Sequence, residues 1–205
     1  MGTWEEWEQH IGARPAAPPV APVTGDLATR IAAEVPAEVD NRFKDRAQRA
    51  YDRSRKYDDK FSKYRGKYGL PENLLIAVAM AESSGVANPE TSEAGARGLM
   101  QFMPGTATDY GLVVTDPASN DPALDERLDP RKAIKAAAQK LSRDLKRADG
   151  NIDAALMQYN WGPGAYQSWV RNPNKRMPKE TRIYITRVRY AMFLAAQARK
   201  KQAQQ

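Results

Sequence analysis

Apolar positions along the chain recur every three or four residues, the period of an α-helix, and no stretch alternates every second residue as a half-buried strand does. From Asn41 to Tyr68 the residues Phe43, Ala47, Ala50, Tyr51, Tyr57, Phe61, Tyr64 and Tyr68 keep that rhythm, with basic residues between them. The pattern predicts one long amphipathic helix, or two, with a basic outer face. Leu70-Pro71 is expected to open the next helix, because a first turn has no use for the N–H that proline lacks. Residues 74–81, LLIAVAMA, are apolar on every side, so this helix is expected to be buried all round. Further helices are predicted from about Pro104, from Ile152 to Asn160 and from Glu180 to Ala198. Another begins after an Asp129 cap and turns Ala133, Ile134, Ala137, Leu141 and Leu145 inward before Asp149-Gly150 stops it. Gly162-Pro163-Gly164 reads as a turn. The fold class is mainly α.

Proline changes this picture at the start of the chain. Pro15, Pro18, Pro19 and Pro22 among Ala and Val read as a linker, taken over 15–39, and set off residues 1–14 as a short separate segment. There Trp4, Trp7 and Ile11 fall on one helical stripe, suited to docking on a partner or on the body of the protein. Met1 to Glu8 is acidic and lacks the basic and apolar regions of a secretory signal. The expectation is a protein made in the cytoplasm that leaves by lysis, through a dedicated machine, or inside a virus particle. The longest apolar run, Leu74 to Ala81, is far short of a bilayer span, so no transmembrane segment is expected.

Composition narrows the chemistry. With 0 Cys and 1 His among 205 residues, thiol nucleophiles, disulfides and the usual zinc sites are excluded, and a Ser-His-Asp triad would need His10, next to the proline-rich stretch. The net charge of +7 is unevenly spread: residues 40–68 carry 11 basic and 5 acidic groups, and residues 171–205 carry 10 and 1. Such flanks suit a polyanion, and solvated helix faces explain them as well. No nucleic-acid module accompanies them, so nucleic acid is not an expected partner.

Catalysis is left to Asp, Glu, Tyr, Ser or Lys. Glu82 follows directly on the all-apolar helix, where desolvation disfavours its charged form and makes it a candidate general acid. The alternative is a carboxylate paired with Arg97, or one that reaches solvent at the helix end. Residues 95–107, GARGLMQFMPGTA, put small residues where backbone must pass close, then an apolar and amide group, and are expected to line a cleft. Residues 158–164, QYNWGPG, add a phenol, an amide and an indole at a helix end. With Gln101 these groups suit a carbohydrate, although singly each also reads as a turn glycine, a core methionine or a capping asparagine.

Taken in order, five segments resemble the motifs of the soluble lytic transglycosylase (SLT) catalytic domain. They are Glu82-Ser83; Ser92 with GARGLMQFMPGTA; Asp129-Pro130 with Ala133-Ile134 and Leu141; Tyr159-Asn160 with Gly162-Pro163-Gly164; and Glu180-Thr181-Arg182 with Tyr184. The resemblance covers about residues 68–192 and leaves outside it 1–14, the linker 15–39, the basic amphipathic region 40–67 and a basic tail, 193–205. It implies a lysozyme-like fold of the goose type, with peptidoglycan glycan strands as substrate. The reaction implied is cleavage of the β-1,4 bond between N-acetylmuramic acid and N-acetylglucosamine, leaving 1,6-anhydromuramyl ends.

Carried over by motif, Glu82 is the single acid/base and Ser92 a polar neighbour of the reacting sugar. Gln101 and Met103 line the cleft, Tyr159 and Asn160 hold Glu82 and the muramyl residue, and Tyr184 joins the substrate-binding set. No metal or cofactor is implied. The chain departs from the family pattern at Ala133, Ala137, Lys140, Gln158 and Trp161, positions that bear on packing and distal sugar subsites.

Two rival readings remain at the level of sequence. One is a muramidase on the same fold, for which Glu90, Glu93 and Asp109 are the near candidates for a second carboxyl group. The other is a structural protein of a virion or secretion assembly that keeps a glycan-binding cleft. The expected setting is a bacteriophage particle, with action on the host wall in the periplasm and residues 1–67 touching other virion or secretion-machine proteins; the alternative is a bacterial protein exported by a dedicated machine.

Overall fold

The computed structural model describes residues 25–172 and 174–204; the segment with Trp4, Trp7 and Ile11 and the proline cluster lie outside the described residues. In chain order the helices are α1 (Gly25–Glu34), α2 (Asn41–Ser54), α3 (Asp58–Tyr68), α4 (Leu74–Ser83), α5 (Pro104–Asp109), α6 (Pro130–Arg147), α7 (Ile152–Trp161), α8 (Pro163–Arg171) and α9 (Lys179–Ala203). Short 3-10 turns lie at Arg55–Tyr57 and Glu126–Leu128. Among the described residues no strand forms, and the extended pairing is limited to isolated antiparallel bridges, Arg97 with Phe102 and Val114 with Asp125.

α4 is the axis of the molecule. Every residue from Leu74 to Met80 is at most 2% exposed, as a sequence apolar on all sides demands. α9 packs along it most extensively, and α2, α3 and α6 close the remaining sides. α7 then bridges α6, α8 and α9. Side-chain caps set the starts where the sequence places them: Asp40 accepts from Phe43 N–H, Asp129 from Arg131 and Lys132, and Asn151 from Ala154.

Residues 41–68 form two helices, one of the two predicted alternatives, with the 3-10 turn at Arg55–Tyr57 between them. Four boundaries differ from the sequence reading. α4 starts at Leu74, three residues past Pro71, because Asn73 takes a left-handed φ of 63° that no helix can pass through. The predicted linker holds α1, whose Leu27, Ile31 and Val35 are buried; between Pro22 and Pro36 nothing prevents helix, and the spacing of these three carries it. The predicted turn at Gly162-Pro163-Gly164 instead starts α8, with Pro163 in its first turn and Tyr166 and Trp169 fully buried. The residues read as a tail, 193–205, continue α9 as far as Ala203.

α1 and α8 were both missed, and they hold each other. The Arg30 guanidinium lies 3.8 Å from the Trp169 ring centroid and donates to the carbonyls of Trp169 (2.9 Å), Asn172 (3.0 Å) and Lys175 (2.6 Å). Glu34 accepts from Trp169 Nε1 at 3.2 Å and from Met177 N–H at 2.7 Å.

Candidate active site

Glu82 stands in the last turn of α4, and the backbone beyond it fixes where it points. Ser84 and Gly85 both turn left-handed (φ 53° and 73°), and Gly85 N–H returns to the Ala79 carbonyl at 3.2 Å. A Cβ on Gly85 would lie 2.5 Å from the Ala50 carbonyl oxygen and 2.5 Å from Ser54 Oγ, so α2 grips this end of α4. Protein surrounds the Glu82 carboxyl, while the residue keeps a half-buried opening to solvent. Burial pushes its pKa up to about 8, against the Tyr184 hydroxyl, which favours the carboxylate. The Glu180 carboxylate adds to the rise, and the Lys140 ammonium opposes it. At neutral pH the group holds its proton.

Two tyrosines face it. Burial and the nearby Glu82 charge raise both hydroxyls well above the ordinary tyrosine value, so both remain protonated donors. The Tyr184 hydroxyl has no hydrogen-bond partner of good geometry, so its interaction with Glu82 is loose. The Tyr159 hydroxyl donates to the Met100 carbonyl at 3.2 Å, and its ring tilts against Phe102 at 6.3 Å. Tyr159 thereby fixes the 95–107 loop beside the acid.

That loop is held from behind by a buried ionic node. Arg127 is fully buried and donates to both Asp125 oxygens (2.8 and 2.7 Å) and to the carbonyls of Gly95, Phe102 and Pro117. Arg97 donates to Asp125, Asn120 and the carbonyls of Pro117 and Ser119, so it belongs to this node and is not the partner of Glu82. Gly98, at φ 76°, crosses so close that a Cβ would sit 1.8 Å from the Arg127 carbonyl oxygen. Leu99 and Met100 are thereby pressed into the core.

The remaining candidates are placed as follows. Gln101 takes a left-handed φ of 48° between Met100 and Phe102 and donates its amide to the Gly98 carbonyl at 3.0 Å. Met103 is exposed at the start of α5. Asn160 accepts from the Thr181 hydroxyl at 2.8 Å, which joins the end of α7 to the start of α9 next to Glu180. Ser92 accepts from Ala96 N–H at 2.9 Å and stiffens its own loop, with no bond to Glu82. Tyr159 and Tyr184 thus lie close enough to Glu82 for their electrostatics to couple, Asn160 follows Tyr159 in the chain, and Gln101 follows Met100, whose carbonyl Tyr159 bonds.

Sequence reasoning missed three groups. Glu180, ninety-eight residues from Glu82, belongs to the fifth motif segment, yet nothing in its position announces that its charge acts on Glu82. Lys140 and Asp144, four apart on the inward face of α6, form a buried ion pair at 2.7 Å; the inward stripe itself was a usable signal. The Asp125–Arg127 node had none, because beyond Arg97 and Asn120 its members are backbone carbonyls scattered from Gly95 to Ser119. Among the described residues no group of three His, Cys, Asp or Glu side chains is arranged to hold a metal ion.

The all-helical fold around a buried central helix is the lysozyme-like one of the SLT domain. The chain belongs to the transglycosylase SLT domain family, whose model matches residues 59–181. It is 32% identical over 143 residues to the soluble lytic murein transglycosylase of Escherichia coli, a match covering 64% of this chain and 22% of that protein. It is 39% identical over 108 residues to the peptidoglycan transglycosylase of Escherichia phage T7, covering 53% of this chain and 8% of the phage protein. The crystal structure of the 70 kDa soluble lytic transglycosylase of Escherichia coli superposes with a TM-score of 0.55 at 30% identity, over 66% of this chain and 23% of that one. The chain spans about a fifth of the length of the murein transglycosylase it matches.

Proposed function

We propose that this protein is a lytic transglycosylase that cleaves the β-1,4 bond between N-acetylmuramic acid and N-acetylglucosamine in peptidoglycan. The observation that carries the reading is the Glu82 carboxyl in the last turn of the buried α4, surrounded by protein and kept protonated by that burial on a residue that is itself only half-buried. Glu82 gives its proton to the departing glycosidic oxygen as the C1–O bond breaks. The 2-acetamido group or an oxocarbenium-like state carries the positive charge at C1. The carboxylate so formed then takes the proton of the muramyl 6-hydroxyl as its oxygen bonds C1, closing the 1,6-anhydro ring and restoring the acid without water. Tyr184 supports the carboxylate between the two steps, Tyr159 and Asn160 keep the cleft wall in place, and Gln101, Met103 and Ser92 contact the sugars. Membership of the SLT family supports this outcome over hydrolysis.

The test is digestion of purified peptidoglycan by the protein and by Glu82→Gln, with the soluble muropeptides weighed by mass spectrometry. Products one water lighter than muramidase products are expected, with release slowed at least about a hundredfold in the variant. Full-weight reducing ends would mean hydrolysis, and no soluble product from the unaltered protein would favour a structural role. We further place the protein in a bacteriophage particle, opening the host wall from the periplasmic side, with the regions ahead of residue 68 available to other particle proteins. The similarity to the phage T7 transglycosylase supports that setting.

A further inference from the structure

Behind Tyr159 lies a charged pair that the reaction above does not use. Lys140 and Asp144 are on consecutive turns of α6, with their side chains 7% and 1% exposed and Nζ 2.7 Å from Oδ2. The ammonium also donates to the Gln158 carbonyl at 3.2 Å and lies 4.7 Å from the centroid of the Tyr159 ring. One cation therefore grips the last turn of α7 by its backbone and by the face of its tyrosine. That tyrosine in turn holds the cleft loop through Met100.

The pair is a poor device for stability alone. The second oxygen of Asp144 and the side-chain oxygen of Gln158 are buried without a donor, and such incompletely satisfied ionic groups are commonly no better than apolar residues of the same size. We propose that Lys140, anchored by Asp144, is a positioning residue that holds Tyr159 against the cleft loop and presents a buried positive charge toward Glu82. The inference deepens the reading of Glu82 as acid/base and rests on it for its catalytic meaning.

The groups around Glu82 set the sign of the effect. From α9 come the Tyr184 hydroxyl and the Glu180 carboxylate, from α7 the Tyr159 hydroxyl, and from α6 Lys140. Asp144 faces Lys140, Tyr159 and Tyr110, with Arg143 and Arg147 beside it on α6. Lys140 is the cation in the first set, so removing it favours the protonated form of Glu82. A catalytic acid that keeps its proton longer stays active to higher pH.

The experiment uses Lys140→Gln/Asp144→Asn, which removes both charges and keeps a polar pair, alongside Lys140→Arg, which keeps the charge. The Glu82 carboxyl is titrated by 13C NMR in each, assigned by the signal lost in Glu82→Gln, and muropeptide release is followed against pH. The charge-free variant is expected to titrate Glu82 about half a pH unit or more higher, with the alkaline limb of activity moving the same way, and Lys140→Arg to titrate as the unaltered protein does. If the charge-free variant does not fold, Lys140→Met/Asp144→Leu carries the same readout in an apolar setting. A folded charge-free variant with an unmoved Glu82 titration overturns the inference. Absence of turnover in the unaltered protein would overturn the proposed function instead, and the titration, which needs no turnover, would still decide the role of Lys140.

Discussion

Glu82 is held in a state that costs the fold stability once the group must ionise. Its carboxyl is raised from an ordinary 4.5 to about 8, with burial as the first cause. A group so raised favours the fold fully below 4.5, and that contribution fades as pH climbs through 8, where the folded protein must at last carry a buried charge. Glu82→Gln stays neutral throughout. Thermal melts should therefore show the variant more stable than the unaltered protein at pH 9, by on the order of a few kcal/mol, with the difference nearly gone at pH 4. An equal difference at both values would mean that Glu82 is not buried as a neutral acid. The residue itself was legible in the sequence, because a carboxyl directly after LLIAVAMA has few places to go. Its environment was not: Tyr184 and Glu180 arrive from α9, and the suspected partner Arg97 is engaged by Asp125, Asn120 and backbone carbonyls.

At the scale of elements, helices with their own caps and stripes were readable, and α6 and α7 begin behind Asp129 and Asn151. α1 and α8 were not, because the neighbouring prolines read as a linker over the spacing of Leu27, Ile31 and Val35, and Gly162-Pro163-Gly164 read as a turn and not as a helix start. Their joint is concentrated in Arg30, stacked on Trp169 and bonded to three carbonyls at the end of α8 and the turn that follows. Arg30→Ala is expected to lower stability by about 2 kcal/mol in urea unfolding followed by circular dichroism. A midpoint within error of the unaltered protein would show that α1 does not brace α8. The cleft loop was readable in composition but not in support. Its glycines announce close approach, yet what Gly98 approaches is the Arg127 carbonyl, twenty-nine residues on.

For the whole molecule, the family match over 59–181 leaves α1 and α2 outside it, although Leu27, Ile31 and Phe43 share one core with α4 and α9. Placement in a phage particle predicts that the protein is found in particles purified on a density gradient, at a fixed ratio to coat protein; its absence from them would refute that setting. The sequence by itself determined the helical class, the buried α4 with an acid at its end, and the order of the motifs. These follow from local periodicity and residue chemistry, which each segment carries alone. Only the tertiary structure decided that two tyrosines and a distant glutamate meet Glu82, that Lys140 and Asp144 stand behind them, and that α1 closes the fold against α8. The contacts between helices join residues from 18 to 139 positions apart, and no local pattern encodes them, because they exist only once the helices have packed.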